Sequence, residues 1–503
     1  MPRPFERSTP SAEGVSASGI IALVDELERL CDVEPHSMVL VRHSKVFAEG
    51  WWHPYAPKRV QLLYSLSKSF TSTALGLLVD DGLVRLDDTV LSYFPELVSE
   101  VVDERTRRTR LRHLAAMSSG HLDDTWHLGP ADDPVSPVRA FLRIPPEQEP
   151  GSVFAYNQSA TYTIATIVQR VAGCTMSELL ARRVFGAIGA DAMSWLQHPD
   201  GQDIGFSGLH ATTETIACLG ELYLRHGAWR GMQILSKQWV DAASSRQVAT
   251  APGLVERPPD WQEGYGYQFW RSRHGYRGDG AFGQFCLVLP EHDAVVALTG
   301  QSPDMQAVLD AVWRNVLPAL QGSGEVSAAA DAALAKRLDT LELARASLNQ
   351  QPAGNPELWR NVTFDHVGFE GVVDPPGRDA IAPAPLGVRV VEDEQNWRLV
   401  VAQGQDRLHV PLLDAWSAAT WEQGGAPVFA RGGWTSALEL VVELVFVETP
   451  HRLVLSLDAA SAEGSARWIA APLHGSALRQ MGAPATLAPS QHVAQRTPSS
   501  PGA

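Results

Sequence analysis

A serine and a lysine lie three residues apart where a strongly helical pattern begins, in Ser65-Leu66-Ser67-Lys68. Three residues are nearly one helical turn, so the Ser65 hydroxyl and the Lys68 amine face the same side. A serine alone is a poor nucleophile, but a lysine in a low-dielectric cleft can lose its proton near neutral pH and act as its base. The same spacing also occurs as a helix cap with a solvated lysine, so the surrounding sequence must decide.

Further motifs accompany this pair in a fixed order. They are the helical run LLYSLSKSFTSTALGLLVDDG, the segment LRHLAAMSSGH and the segment PGSVFAYNQSATYTIATIVQRVAG. Together they resemble the β-lactamase-related serine hydrolases, which include class C β-lactamases, D-alanyl-D-alanine peptidases and certain carboxylesterases and amide hydrolases. The resemblance covers residues 19–322 and implies an α/β (mixed α+β) fold with an active-site cleft between an antiparallel sheet and a helical region. It also implies that Ser65 is acylated and that Lys68 activates it.

The second motif of this family, Tyr-x-Asn, corresponds to Tyr156-Asn157-Gln158. The resemblance implies that Tyr156 shuttles a proton, and a lysine ammonium nearby would lower the pKa of its phenol. Gln158 replaces the asparagine that contacts substrate and lysine in the family. Either Gln158 or Asn157 is therefore expected to supply the amide in the cleft.

The third motif is a cation followed by x-Gly on the strand beside the cleft, and it falls on Gly278-Asp279-Gly280. The cation is missing, which argues against β-lactam hydrolysis because that cation helps to bind the carboxylate of penicillins. An ester or amide without this carboxylate is expected instead. Three nearby arginines could replace the charge: Arg271, Arg273 and Arg277.

The resemblance also implies an oxyanion hole. In this family one N–H comes from the nucleophile and one from the residue just after the third motif. Here these donors are the N–H groups of Ser65 and Ala281, with Gly280 beside them. These backbone donors do not depend on the missing cation. The acyl-enzyme mechanism that the resemblance implies needs no metal and no organic cofactor.

Other candidate sites carry less weight. Four side chains close in sequence could ligate a metal: His121, Asp123, Asp124 and His127. We favour a loop at the cleft rim, in which Trp126 lines the substrate site. The segment around Ser207 lacks the last glycine of a G-x-S-x-G elbow, which disfavours a Ser-His-Asp triad, and His210 is expected to be structural.

Composition limits the other function classes. The 41 Lys and Arg residues against 57 Asp and Glu give a net charge of −16, which disfavours a nucleic-acid or membrane-surface role. The start of the sequence lacks a signal-peptide pattern and no run approaches about 20 apolar residues, so we predict a cytoplasmic location. The 4 cysteines have no CxxC spacing and are expected to be free thiols.

Five segments are predicted along the 503 residues. The Pro-, Ser- and Gly-containing ends predict disorder at 1–18 and 477–503. Residues 19–322 are expected to form the hydrolase domain, and a helical stretch with Pro and Gly makes 323–356 a linker. Strand-like runs over 357–476 predict an antiparallel barrel or sandwich of undetermined role.

The predicted function is a serine hydrolase that cleaves a small ester or amide through an acyl-enzyme, with self-association left open. One alternative is a D,D-peptidase or β-lactamase acting on penicillin-like substrates. Another is a catalytically idle scaffold of the same fold, which the unusual Gln158 and Gly278 would suit.

Overall fold

The computed structural model consists of an N-terminal α/β domain and a C-terminal β domain. This confirms the predicted mixed α+β fold class. The residues described are 3–129, 136–190, 193–251, 257–344, 348–353, 355–370, 384–393, 396–473 and 477–484.

A seven-stranded sheet lies at the centre of the N-terminal domain. Its strands are β1 (Glu6–Arg7), β2 (Glu34–Arg42), β3 (Lys45–Trp51), β4 (Trp270–Arg271), β5 (Tyr276–Gly280), β6 (Gln284–Leu289) and β7 (Ala294–Gln301). They are hydrogen-bonded in the order β1-β3-β2-β7-β6-β5-β4, and each pair is antiparallel except β1 with β3. The hairpin predicted near the N-terminus is therefore confirmed as β2–β3.

Helices flank this sheet. The longer ones are α1 (Ala17–Arg29), α2 (Ser67–Asp80), α3 (Gln158–Ala172), α4 (Thr213–Leu224), α5 (Lys237–Ser244), α6 (Met305–Leu320) and α7 (Ala328–Leu338). Short helices are Glu104–Arg108, Leu111–Ala115, Pro137–Arg143, Met176–Leu180 and Gly186–Ile188. The helical periodicities in the sequence correspond to α1, α2, α3, α4 and α6.

The two faces of the sheet are covered by different helices because side chains alternate along each strand. On β6, Phe285 and Leu287 pack with α1 and α6, whereas Cys286 and Val288 pack with α4. Helix α2 packs against α3 and meets the sheet at β5. The first turn of α2 therefore lies beside the strand that carries the third motif.

The N-terminal residues 3–18 are ordered, so the prediction of disorder there is wrong. Glu6–Arg7 forms β1, and Phe5 is 3% exposed. Arg7 pairs with Glu49 and with Glu214, each at 2.7 Å. One buried aromatic ring and one doubly paired arginine anchor a segment whose Pro and Ser content suggested mobility.

In the part of the C-terminal domain that the structure describes, nine strands form a closed barrel. These are β8 (Thr363–Glu370), β9 (Leu386–Asp393), β10 (Asn396–Gln403), β11 (Asp406–Pro411), β12 (Ser417–Trp421), β13 (Val428–Trp434), β14 (Glu439–Phe446), β15 (His451–Asp458) and β16 (Glu463–Trp468). Sequential strands are antiparallel, and the barrel closes through a parallel pairing of β8 with β16. The hairpin predicted from the alternating pattern is β14–β15.

Segments outside the two domains pack against them. Helix α7 lies in the predicted linker, where Arg337 pairs with Asp25 of α1 at 3.1 Å. In the tail predicted to be disordered, Leu478 is 1% exposed, so residues 477–484 are ordered because they bury this side chain against the barrel. Residues 485–503 lie outside the described part of the chain.

Two further observations concern membrane-spanning helices and cysteines among the described residues. Among the residues that the structure describes, no helix is long and apolar enough to cross a bilayer. In the same part of the chain, none of the four cysteines forms a disulfide bond, and Cys218 and Cys286 are buried. The predicted domain boundaries stay predictions.

Candidate active site

The Ser-x-x-Lys pair lies at the start of α2. A single 3-10 turn, Tyr64–Leu66, carries Ser65 into the helix, and Lys68 follows in its first turn. The Lys68 ammonium nitrogen donates a hydrogen bond to the Ser65 hydroxyl oxygen over 3.1 Å. Lys68 is 1% exposed, whereas Ser65 is half-buried. The structure thus brings the two predicted residues together.

Lys68 also donates to two oxygens that can only accept hydrogen bonds. These are Gln158 Oε1 at 2.6 Å and the Phe206 carbonyl at 2.9 Å. Burial lowers the pKa of Lys68 to about 7, against the smaller opposing influence of two nearby carboxylates, Asp124 and Asp279. A neutral Lys68 amine can keep two N–H groups on these oxygens, which leaves its lone pair for the Ser65 proton.

Tyr156 lies over the Lys68 amine. The Lys68 nitrogen is 4.7 Å from the centre of the Tyr156 ring, and this ring stacks on Trp270 at 5.6 Å. The pKa of the Tyr156 phenol is raised, so the expected lowering is wrong. Burial is the main cause, the negative charge of Asp279 adds to it, and hydrogen bonding to Ser65 opposes it only in part. Tyr156 therefore keeps its proton at neutral pH.

Gln158, rather than Asn157, is the amide side chain that contacts Lys68. The Asn157 side chain is fully buried and caps α3, where its Oδ1 accepts from the Ser159 N–H over 2.9 Å. Its amide nitrogen donates to the Asp123 carbonyl over 3.3 Å. The extra methylene of Gln158 lets its oxygen reach Lys68, so the departure from the family motif preserves the contact with the lysine.

The glycines of the third motif lie against the nucleophile turn. A Cβ on Gly280 would lie 2.0 Å from the Leu63 carbonyl oxygen, and one on Gly278 would lie 2.4 Å from Ser69 Oγ. A side chain at position 278 would therefore require Ser69 and Leu66 to shift, so the structure does not accommodate the family cation there. The same close approach places the end of β5, with Ala281 after it, beside Ser65.

The centre of the third motif is occupied by an ion pair. Asp279 bonds Arg277 at 3.0 Å, and both side chains are buried. Arg273 pairs with Asp260 at 2.7 Å, and Arg271 donates to a backbone carbonyl. The arginines expected to replace the missing charge are therefore already bound to groups of the protein.

Comparisons with known proteins identify the family and the fold. The profile of the Beta-lactamase family matches residues 32–321, more than half of the chain. The chain belongs to the beta-lactamase family. A 6-aminohexanoate-dimer hydrolase from Paenarthrobacter ureafaciens is 26% identical over 319 residues, covering 59% of this chain and 80% of that protein. The resemblance and the hydrolase class predicted from the motifs are thereby confirmed.

Two solved structures are similar to this beta-lactamase family protein. A Bacillus anthracis protein assigned as a 6-aminohexanoate-dimer hydrolase has 20% identity and a TM-score of 0.51, covering 60% of this chain and 82% of its own. A family VIII carboxylesterase has 14% identity and a TM-score of 0.49, covering 61% of this chain and 98% of its own. Both likenesses concern the fold.

One polar residue of the candidate site was not identified as such from sequence. Asp124 accepts the N–H of Gln158 over 2.9 Å and that of Trp126 over 3.1 Å, so it holds the start of α3 near Lys68. Burial raises the pKa of its carboxyl, and the backbone hydrogen bonds and Lys68 oppose this rise. The only signal in the sequence was the acidic cluster that suggested a metal.

The side chains of that acidic and histidine cluster do not meet at one point. His121 is buried and bonds Ser119 at 2.9 Å, while His127 is exposed. Among the described residues, no group of three or more His, Cys, Asp or Glu side chains could hold a metal ion. Trp126 is half-buried against Phe206, with ring centres 4.6 Å apart, which places it beside the carbonyl that holds Lys68.

Proposed function

We propose that this protein is a serine hydrolase that cleaves small esters or amides through an acyl-enzyme on Ser65. The observation that carries the proposal is the buried Lys68 amine, whose pKa burial lowers to about 7. Of the three hydrogen-bond partners that Lys68 has among the described residues, only Ser65 can give it a proton. An idle scaffold has no need to keep a lysine desolvated in this way.

The geometry supports one sequence of steps. Neutral Lys68 takes the Ser65 proton as Oγ attacks the carbonyl carbon, and the N–H groups of Ser65 and Ala281 hold the oxyanion. Protonated Tyr156 gives its proton to the leaving oxygen or nitrogen and regains one from the Lys68 ammonium. Water then attacks the acyl-enzyme by the same steps in reverse, which releases the acid and restores Ser65.

The substrate proposed is an ester or amide without a carboxylate at the third-motif strand. Gly278 leaves no room for the family cation, and Arg277 is neutralised by Asp279. This disfavours the D,D-peptidase and β-lactamase alternatives. The relative named 6-aminohexanoate-dimer hydrolase supports an amide as the bond that is cleaved. A cytoplasmic location and the lack of a nucleic-acid partner stay predictions.

The test is turnover of three chromogenic substrate types by wild type and by Ser65→Ala. We expect p-nitrophenyl esters or acyl p-nitroanilides to be hydrolysed and nitrocefin to be turned over at least about 100-fold more slowly, with all activity lost in Ser65→Ala. Nitrocefin as the best substrate would replace the proposal by the β-lactamase alternative. Activity that survives in Ser65→Ala would overturn the nucleophile.

A further inference from the structure

The C-terminal barrel contacts the hydrolase domain immediately before the nucleophile. The barrel loop, residues 447–450 between β14 and β15, accepts hydrogen bonds through consecutive carbonyls. The Val447 carbonyl accepts from the Gln61 side chain at 3.3 Å, and the Glu448 carbonyl accepts from the Leu62 N–H at 2.8 Å. The loop thus anchors the short strand Gln61–Leu62, which leads into the Ser65 turn.

His451, the first residue after this loop, reaches further towards the site. Its side chain is buried, and its Nδ1 lies 2.9 Å from the Ala470 carbonyl, which can only accept a hydrogen bond. Nδ1 is therefore the protonated nitrogen, and Nε2 is the acceptor. The Tyr64 hydroxyl donates to this Nε2 over 2.6 Å.

Tyr64 and Phe282 share an unusual backbone conformation next to the two predicted oxyanion donors. Their φ angles are +47° and +66°, in the left-handed region that aromatic residues rarely adopt. Tyr64 directly precedes Ser65, and Phe282 directly follows Ala281. Such conformations persist where surrounding contacts hold them.

The contacts that hold both residues meet at His451. The ring centres are 5.4 Å apart for Tyr64 and Phe282, 5.9 Å for Tyr64 and His451, and 5.3 Å for Phe282 and His451. All three pairs pack edge to face. One histidine from the barrel therefore contacts both residues that flank the oxyanion donors.

We propose that His451 of the C-terminal barrel is a positioning residue for the oxyanion hole. Through its hydrogen bond to Tyr64 and its ring contact with Phe282, it fixes the Ser65 and Ala281 N–H groups at their required spacing. The inference rests on the proposed serine hydrolase function and assigns the barrel a part in it. His451 does not touch the substrate, so its loss is expected to lower kcat while KM stays nearly constant.

The test compares His451→Leu, His451→Gln and Tyr64→Phe with wild type for p-nitrophenyl ester kinetics and Tm. We expect kcat about tenfold lower in His451→Leu and in Tyr64→Phe, with KM within about twofold. Gln has both a donor and an acceptor, so His451→Gln is expected to restore much of the lost kcat. The Tyr64→Phe/His451→Leu double variant is expected to be no slower than His451→Leu, because both substitutions break one hydrogen bond.

A matched control separates positioning from stability. Leu444 is a fully buried barrel residue of β14 outside the His451 contacts, and Leu444→Ala is expected to lower Tm without lowering the kcat of the folded protein. Active wild type with unchanged kcat in Tyr64→Phe and His451→Leu would overturn the positioning role alone. A Leu444→Ala variant that loses kcat equally would also overturn it. Wild type without turnover would overturn the proposed function, and this inference with it.

Discussion

The two sides of the candidate cleft differ in how much of the family pattern they keep. On the side of α2, Lys68 retains three hydrogen-bond partners even though Gln158 replaces the usual asparagine. On the side of β5, the cation is replaced by Gly278, and the adjacent Asp279 is bound by Arg277. In the proposed mechanism, the groups assigned to making and breaking the acyl bond are therefore present, while the cation that would bind a substrate carboxylate is not.

Among the variants considered, Lys68→Met on the α2 side is expected to lower activity most. Met has a similar length but no basic nitrogen, so Ser65 would lose its proton acceptor. We expect kcat/KM for ester hydrolysis to fall by about 1,000-fold or more, with Tm equal or higher because a buried amine is removed. Steady-state kinetics and thermal unfolding check this, and activity within about tenfold of wild type would exclude Lys68 as the base.

Tyr156→Phe tests the proton donor while keeping the ring on Trp270. Because the raised pKa keeps the phenol protonated, its loss removes the acid for the leaving group. We expect kcat to fall by about 100-fold for p-nitroanilides and by less for p-nitrophenyl esters, whose leaving group needs no proton. Equal losses on the two substrate types would contradict the assignment of Tyr156 as leaving-group acid.

The pH profile measures the base directly. With a Lys68 pKa of about 7, its neutral fraction falls about tenfold per pH unit below that value. The kcat/KM for an ester is therefore expected to rise with pH up to about 7 and then level off. A profile that is flat from pH 5 to 8 would contradict a Lys68 base.

Gly278→Lys tests the β5 side of the candidate cleft, because it restores the cation of the family motif. Because a Cβ there would lie 2.4 Å from Ser69 Oγ, we expect a loss of about 1–3 kcal/mol of unfolding free energy and no gain of nitrocefin turnover. Gly368→Lys, at an exposed glycine of the barrel with open space around its Cβ, is the control and should leave stability nearly unchanged. Unchanged stability together with nitrocefin turnover would show that the structure has room for a lysine side chain at position 278.

Asp124→Asn should have the smallest effect. Asparagine keeps an oxygen for the N–H groups of Gln158 and Trp126 but removes the negative charge that raises the pKa of Lys68. The acid limb of the pH profile is expected to shift to lower pH, with the plateau rate little changed. A shift to higher pH would contradict the charge assignment.

The sequence predicted the elements that local pattern controls. The serine–lysine spacing, the start of α3 after Tyr156 and the β14–β15 hairpin all follow from periodicity, caps and turn residues within a short stretch. The order of the N-terminus was missed because it depends on Phe5 and on ion pairs formed by Arg7 with residues distant in sequence.

The parts of the site that were missed also depend on tertiary contacts. Desolvation raises the pKa of Tyr156, and no local pattern reveals that this outweighs the hydrogen bond to Ser65 and the positive charge of Arg277. No sequence motif indicates that Asp279 neutralises Arg277. No motif indicates either that His451 contacts Tyr64, which lies 387 residues earlier in the chain. Sequence reasoning therefore identified the candidate nucleophile and the candidate base but not the electrostatics around them.

The central claim is that Lys68 activates Ser65, and covalent labelling tests it most directly. Wild type and Ser65→Ala would be exposed to a small fluorophosphonate at pH 6 and pH 8, then analysed by intact mass and peptide mapping. We expect a single adduct on Ser65, formed about tenfold faster at pH 8, and none on Ser65→Ala. Folded wild type that gains no adduct, or an adduct on another residue, would contradict the account.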